Sequence, residues 1–162
     1  MSMKVYVAGP LFTLAERRFN EDLASSVQAV ADDIAVVLPQ CETASMAGAP
    51  GFVQRAFGYC LHTIDECDAV VAILDGPDAD SGTCVEIGYA YARGKPIVGV
   101  RTDIRLLEDR GLNLMVANIC TTLIAQSSLT GSVSGLAEEI VTCLRGLRKG
   151  SASAEPRGVT PH

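Results

Sequence analysis

The chain contains no tryptophan, only two histidines and only 5% aromatic residues among its 162 residues. None of its cysteines is part of a Cys-x-x-Cys pair, and with so few histidines we expect no zinc site. Most cysteines flank apolar residues, so we expect them to act as small core residues in a reducing compartment. There are six, at Cys41, Cys60, Cys67, Cys84, Cys120 and Cys143.

Positive charge is also scarce: the formal net charge is -6, and no basic stripe is present. A chain of this kind is a poor partner for a nucleic-acid backbone, so we expect no nucleic-acid partner. Long apolar runs are missing as well, which predicts no membrane span and no membrane partner. A strand begins almost at the first residue, which is not typical of a signal peptide. These features together favour a cytoplasmic location.

Apolar residues make up 48% of the chain, and they occur in short runs that alternate with helical periodicity. This alternation predicts an α/β fold: a single domain with a doubly wound parallel sheet, Rossmann- or flavodoxin-like, and helices on both faces. We place the domain at residues 1–149 and a disordered tail, rich in Ser, Ala, Gly and Pro, at 150–162. The predicted strands are Lys4–Ala8, Ile34–Leu38, Ala69–Leu74, Pro96–Val100 and Ile119–Ala125. The predicted helices are Leu14–Ala31, Phe52–Cys67, Thr83–Arg93 and Ser134–Leu147, with loops at Cys41–Pro50 and, unless partly helical, at Arg101–Gly111.

The acidic segment after the third predicted strand is the most informative part of the chain. It runs from Asp75 through Asp78 and Asp80 into a helix that carries Glu86 in its first turns. In an open α/β sheet, ligands bind at this strand-to-helix corner, and a helix N-terminus favours an ionised carboxylate, the form a nucleophile needs. The alternative is a capping box, Thr83-x-x-Glu86, in which the glutamate folds back onto the backbone.

Two other loops should meet the acidic segment at the carboxyl ends of the strands. In Tyr6-Val-Ala-Gly-Pro-Leu-Phe12, Gly9 permits close approach of the backbone to a ligand, and Phe12 is suited to stacking on a planar ring. The alternative for Phe12 is a hydrophobic staple onto the next helix. Gly9 lacks a Gly-x-x-Gly partner, so the pattern is not a dinucleotide-binding fingerprint. The second loop is Leu38-Pro-Gln40.

Four segments together resemble the nucleoside 2-deoxyribosyltransferase family over about residues 4–125. The most specific is Asp80-Ser-Gly-Thr-x-x-Glu86-Ile-Gly-Tyr-Ala. The others are Tyr6-x-Ala-Gly-Pro-Leu-Phe, Cys67-Asp68-Ala-Val-Val-Ala and Gly94-Lys-Pro-Ile-Val. The resemblance implies an enzyme without a cofactor that acts on small-molecule nucleosides and free nucleobases.

By the resemblance, Glu86 is the nucleophile that attacks the anomeric carbon of a 2′-deoxynucleoside and displaces the base. A second base then attacks the glycosyl ester, and two inversions give retention. Tyr6 would hydrogen-bond Glu86 and hold it in line, unless its hydroxyl simply lies at the surface. Asp80, with Gly82 beside it, would bind the 5′ side of the sugar and favour free nucleosides over 5′-monophosphates. Asp80 also fits a helix N-cap.

Three more residues are implied in substrate binding. The amide of Gln40 suits a base edge because it both donates and accepts. Asp75 lies in the loop that faces the substrate. Asn113, in Gly111-Leu-Asn-Leu-Met115, would reach the site of a neighbouring subunit and bind the 5′-hydroxyl, which requires a homo-oligomer, a dimer or higher. The alternative for Asn113 is a local turn.

Cys60 departs from the family pattern, which usually has Asp or Asn at this position, where the side chain contacts the base and helps to protonate it. A thiol is a poor hydrogen-bond partner and is normally uncharged at neutral pH. Either Asp75 or Asp78 takes over protonation of the base, or the activity differs from that of the family. Cys60 as an ordinary core thiol is also compatible with the sequence.

Three functions therefore stay open at this point. The first is deoxyribosyl transfer between bases, and the second is hydrolysis of the N-glycosidic bond on the same fold, which Cys60 favours. The third is a non-catalytic nucleotide-binding module, since a fold does not determine a function.

Overall fold

The computed structural model describes residues 2–105 and 112–151 and contains a parallel β-sheet at its centre. The strands are β1 (Met3–Ala8), β2 (Ile34–Val37), β3 (Ala69–Ile73), β4 (Ile97–Arg101) and β5 (Thr122–Ala125). They pair in the order β2-β1-β3-β4-β5, and each neighbouring pair is parallel. The predicted fold class is therefore confirmed, with the flavodoxin-like strand order of doubly wound sheets.

Helices cover both faces of this sheet. In the described residues they are α1 (Leu14–Val30), α2 (Pro39–Met46), α3 (Phe52–Glu66), α4 (Ser81–Ala92), α5 (Leu114–Ile119) and α6 (Val133–Ser151). None of these helices combines the length and the apolar character that a bilayer crossing requires.

Alternate residues of each strand point to opposite faces, which divides the core in two. On one face, Val5 and Val71 pack with α1 and α6, where Leu23 and Ile140 are buried. On the other, Tyr6, Ala8, Val70, Ala72 and Leu74 pack with the buried residues Ile64 of α3 and Ile87 of α4. Because both faces are covered, the strands are continuous apolar runs, which is why they could be recognised in the sequence.

Two helices were not predicted. The expected loop at Cys41–Pro50 is wrong for its first half, because α2 begins at Pro39, where proline is well placed for a helix start, and continues to Met46. Only Pro39 and Gln40 of this helix are buried, so it has no apolar stripe to reveal it. The expected fifth strand begins at Thr122 instead of Ile119, because α5 occupies the residues before it.

The C-terminal helix extends beyond the predicted domain boundary. α6 continues to Ser151, so the first two residues of the predicted tail are helical. The rest of that tail, 152–162, lies outside the described residues, as does 106–111 of the segment predicted as a loop.

Candidate active site

The strand order has one switch point, between β1 and β3. From β1 the chain passes to β2 on one side and then returns to β3 on the other. The crevice at the carboxyl ends of two such strands is where open α/β sheets bind ligands. Here the loops after β1 and β3 meet α4, which follows β3 and carries Glu86.

Tyr6 and Glu86 are in direct polar contact in this crevice. The Tyr6 hydroxyl donates a hydrogen bond of 2.6 Å to Oε1 of Glu86, although the two residues are 80 positions apart in the chain. Tyr6 is completely buried in β1, which excludes the alternative of a hydroxyl at the surface. The capping-box alternative for Glu86 is excluded too, because the N-cap of α4 is Asp80 and not Thr83.

Cys60 of α3 completes this cluster. Its half-buried thiol lies close enough to Tyr6 and Glu86 to influence the pKa of both groups. Burial is the main reason that the pKa of the Cys60 thiol is raised, with the charge of Glu86 adding to the effect. Cys60 is therefore an uncharged neighbour of the carboxylate.

Opposing effects act on the Glu86 carboxylate. Desolvation by burial is the largest and raises its pKa, and the negative charge of Asp80 acts in the same direction. The hydrogen bond from Tyr6 and the neighbouring thiol of Cys60 favour the ionised form and lower the pKa, but the net result is a raised value. The pKa of Tyr6 is raised as well, first by burial and then by the adjacent carboxylate, so its hydroxyl keeps its proton and acts as the donor.

Asp80 is the N-cap of α4. Its Oδ2 accepts from the backbone N–H of Thr83 at 2.8 Å and from the Thr83 hydroxyl at 3.1 Å. A side chain at Gly82 would place its Cβ 3.1 Å from the same Oδ2 atom, so the glycine leaves room for this carboxylate. The structure thus shows the N-cap expected as the alternative for Asp80, at the edge of the crevice that contains Glu86.

Asp75 is occupied by protein contacts. One carboxylate oxygen accepts from the backbone N–H groups of Thr102 at 2.6 Å and Asp103 at 3.0 Å, and the other accepts from the Thr102 hydroxyl at 2.6 Å. These bonds join the loop after β3 to the end of β4. In this arrangement Asp75 is an acceptor that fixes a loop, and Asp78 is exposed.

Gln40 is also occupied, since it is almost fully buried at the start of α2. Its Nε2 donates to the carbonyl oxygen of Arg17 and to the Glu21 carboxylate, both at 3.0 Å, and its Oε1 accepts from Asn20 at 3.0 Å. The amide expected to contact a base therefore joins α2 to α1 in the described conformation.

Gly9 and Phe12 lie in the loop after β1 with different surroundings. A Cβ at Gly9 would lie 3.1 Å from the Ile73 side chain, so the glycine is needed for close packing of the loop against β3. Phe12 is 75% exposed, which excludes a packed hydrophobic staple and leaves the ring available to a ligand.

Asn113 is exposed and forms the N-cap of α5. Its Oδ1 accepts from the backbone N–H of Met115 at 2.9 Å, which is the local turn expected as the alternative. Its amide nitrogen is not used in that bond.

Asn20 is a site-supporting residue that the sequence-based prediction missed. It is buried on the apolar face of α1, and its Nδ2 donates both to Gln40 and, at 2.9 Å, to the carbonyl oxygen of Pro10 in the loop after β1. The signal was present, because Asn20 stands at a position of the helical apolar repeat, three residues before Leu23. A polar residue in such a position is normally hydrogen-bonded inside the protein.

Comparison with known proteins relates the chain to one protein family. The family model described as nucleoside 2-deoxyribosyltransferase matches residues 5–121. A conserved protein of Enterococcus faecalis V583 is similar in structure, with a TM-score of 0.68 and 30% identity, covering 88% of this chain and 99% of that one. The chain spans 24% and 63% of the length of two curated relatives it matches, uncharacterized proteins of Schizosaccharomyces pombe and Ureaplasma parvum.

Two more distant structures share the fold. The 2-deoxyribosyltransferase of Bacillus psychrosaccharolyticus has a TM-score of 0.66 at 20% identity, covering 83% of this chain and 90% of that chain. A CMP N-glycosidase of Clostridium botulinum has a TM-score of 0.56 at 18% identity, covering 89% and 98%. The family match extends from β1 to the residue before β5 and includes Tyr6, Cys60 and Glu86. The chain belongs to the nucleoside 2-deoxyribosyltransferase family.

Proposed function

We propose that this protein transfers the 2-deoxyribosyl group between nucleobases through a covalent ester of Glu86. The observation that carries this proposal is the hydrogen bond of 2.6 Å between Tyr6 and Glu86 at the switch point of the sheet. The bond leaves the second carboxylate oxygen of Glu86 for attack on the anomeric carbon and restricts the orientation of the side chain. Fixing the orientation of a nucleophile in this way contributes strongly to the rate enhancement of displacement reactions.

The electrostatics of Glu86 also suit a reaction with an oxocarbenium-like transition state. A partly buried carboxylate is poorly solvated, so it interacts strongly with positive charge that develops on the sugar. The raised pKa means that the carboxylate gains more from such a charge than an exposed carboxylate would.

Covalent trapping tests this proposal directly. Incubation with a 2′-fluorinated 2′-deoxynucleoside analogue should add one sugar to the intact protein, and peptide mapping should place it on Glu86. The Glu86→Gln variant has the same shape, can still accept from Tyr6, and should neither be labelled nor turn over substrate. A label on another residue, or turnover by Glu86→Gln, would contradict the proposal. Full ligand-linked activity in Glu86→Gln would instead favour a non-catalytic binding module.

Hydrolysis of the N-glycosidic bond is the second candidate, and the observation that favours it is the thiol of Cys60 beside the nucleophile. The reactions differ only in whether a second base or water attacks the ester. Supplying 2′-deoxyinosine with and without adenine separates them by chromatography. Formation of deoxyadenosine supports transfer, whereas free deoxyribose in equal amounts in both samples supports hydrolysis.

We infer that the substrate is a free nucleoside. Asp80 caps α4 with one oxygen and places its negative charge at the edge of the crevice. A carboxylate there can accept from a 5′-hydroxyl and repels a 5′-phosphate.

We also propose a homo-oligomer in which Asn113 completes the site of a neighbouring subunit. Asn113 is exposed, and the two residues that follow it, Leu114 and Met115, are 70% and 66% exposed. Apolar side chains exposed next to each other are typical of protein interfaces.

A further inference from the structure

Arg101 is a buried cation whose charge has no partner among the described residues. It is the last residue of β4 and is only 1% exposed. None of the ion pairs in the described part of the chain includes it. Arginine is rarely buried without a partner, because removing its charge from water is costly. Its burial therefore requires a compensating interaction that the described residues do not supply.

The unpartnered donors of Arg101 lie on one edge of its guanidinium group. Nη1 donates to the carbonyl oxygen of Leu74, directly after β3, and this bond holds the group in place. Nε and Nη2 are buried and have no acceptor among the described residues. The N–H bonds of these two nitrogens run side by side, and this is an edge that binds both oxygens of a carboxylate or a phosphate. The unused donors therefore match an anion that presents two oxygens.

The carboxylates close to Arg101 in the chain are bonded to other groups. Both oxygens of Asp75 accept from residues of the loop after β4. Both oxygens of Asp103 are used as well, because Oδ1 accepts from Arg105 and Oδ2 accepts from the backbone N–H of Gly76. A new rotamer of either carboxylate would break several of these bonds, so neither is free to turn towards the guanidinium.

The guanidinium lies on the same face of the sheet as Tyr6 but at a different strand. A Cβ at Gly99, two residues before Arg101, would meet the side chain of Leu74, which belongs to the same core cluster as Tyr6. Residues two apart in a strand share a face. β3 separates β4 from β1, so Arg101 lies two strands, or roughly 10 Å, to the side of β1. The position is therefore beside the crevice and separate from the contact of Tyr6 with Glu86.

The charges at this edge of the sheet favour a carboxylate over a phosphate. Asp75, Asp78 and Asp80 follow β3, and Asp103 follows β4. A carboxylate brings one negative charge, which the guanidinium neutralises, whereas a phosphate monoester brings up to about two. The surrounding aspartates would repel the second charge. Because Arg101 is almost fully buried, the ligand must also be small.

We propose that Arg101 binds the carboxylate group of a small monocarboxylic acid through Nε and Nη2, at a site separate from Glu86. The two oxygens of the ligand accept from these donors, while Nη1 keeps its bond to Leu74. An occupied site would hold the loop after β3 more firmly, because Leu74 leads into that loop. The inference does not rest on the proposed function, since it requires neither turnover nor Glu86.

Melting curves with sodium acetate test this inference. Acetate is titrated at pH 7 while sodium chloride keeps the ionic strength constant. Because a ligand that binds only the folded state stabilises it, the Tm of the wild type should rise and then level off as the site fills. The rise should be roughly 3–5 °C at a concentration tenfold above Kd. Formate should act in the same way, and phosphate at the same ionic strength should not.

Substitutions at Arg101 locate the site. Arg101→Met removes the guanidinium and should lose the response to acetate. Without acetate it should melt at or above the wild-type temperature, because an apolar side chain of similar length replaces an unpaired buried charge. Arg101→Lys keeps the charge without the paired donors and should lose most of the response. The matched control is Arg18→Met, which makes the same change in net charge at an exposed position of α1 and should respond fully.

Glu86→Gln separates this site from the crevice and should respond to acetate as the wild type does. A response that survives in Arg101→Met, or that Glu86→Gln abolishes, would place the acetate elsewhere and overturn the inference. An equal response to phosphate would overturn the choice of a carboxylate, and no response to acetate or formate would leave Nε and Nη2 to water. If Arg101→Met does not fold, the wild-type titration and Arg101→Lys still decide. Labelling of Glu86 is a separate result, so the proposed function stands or falls independently.

Discussion

At the residue scale, the bond between Tyr6 and Glu86 makes a prediction about pH. The hydroxyl stabilises the ionised carboxylate, so Tyr6→Phe should raise the pKa of Glu86 above its already raised value. Because attack requires the ionised form, activity is present above that pKa and lost below it. The acidic limb of kcat/KM should therefore move to higher pH, and kcat should fall on the order of 10²-fold through lost orientation.

Tyr89 provides the matched control for this substitution. Tyr89 lies on α4, as Glu86 does, but it belongs to a different hydrogen-bonded pair. Its hydroxyl donates to Asp65 of α3 at 2.8 Å. Tyr89→Phe should leave the acidic limb in place. A pH profile of Tyr6→Phe with an unmoved acidic limb would show that the hydroxyl does not stabilise the ionised nucleophile.

Individual residues also show what a sequence can and cannot reveal. Glu86 could be predicted because its position after a buried strand places it at the carboxyl edge of the sheet. Its contact with Tyr6 could not be derived from periodicity, since 80 residues separate the two, and was implied only by family resemblance. Whether a polar side chain faces a ligand or the backbone depends on local rotamers, so the internal bonds of Gln40 and Asp75 were not foreseeable.

At the element scale, Asp80 supplies both a capping oxygen for α4 and a negative charge, and a pair of variants can separate the two effects. Asp80→Ala removes the acceptor for Thr83 and should destabilise the protein by about 1 kcal/mol, typical of a lost N-cap. Asp80→Ser keeps a capping oxygen and should melt close to the wild type. It also removes the negative charge, so the ratio of kcat/KM for a 2′-deoxynucleoside 5′-monophosphate to that for the nucleoside should rise.

Melting temperatures and competition between the two substrates measure these effects. A melting temperature of Asp80→Ala equal to that of the wild type would show that the side chain does not stabilise α4 as a cap. An unchanged substrate ratio in Asp80→Ser would show that Asp80 does not exclude phosphate, and the preference for free nucleosides would have to be abandoned.

Elements differed in how well their sequences revealed them. The buried strands and the amphipathic helices α1 and α3 were predictable because burial imposes an apolar pattern. α2 contributes only Pro39 and Gln40 to the interior, and α5 has six residues, so neither carries a repeat long enough to detect. The start of α5 is set by the side-chain cap of Asn113, whereas α2 begins at Pro39 without a side-chain cap.

At the scale of the whole molecule, the exposed apolar side chains support assembly. Val53 and Phe57 lie one turn apart on α3, and both are more than half exposed, as are Val85 of α4 and Leu114 of α5. Light scattering at micromolar concentration should therefore give a mass above that of the 17.0 kDa monomer. A fully active monomer would contradict the proposed role of Asn113 in a neighbour's site.

Mixing two inactive variants tests that role more sharply. Glu86→Gln lacks the nucleophile, and Asn113→Ala lacks the residue proposed to reach across. If each site takes Glu86 from one subunit and Asn113 from another, a mixed dimer contains one intact site and one with both defects. Random reassociation of equal amounts should therefore restore roughly a quarter of wild-type activity, because half of the dimers are mixed and half of their sites are intact.

The control mixes Glu86→Gln with Tyr6→Phe. Tyr6 and Glu86 contact each other within one subunit, so mixed dimers contain no site that is normal at both positions. This mixture should show no gain over the sum of its components. Equal recovery in both mixtures would point to general stabilisation by reassociation, and no recovery with Asn113→Ala would place Asn113 outside the neighbour's site, leaving it only as the cap of α5.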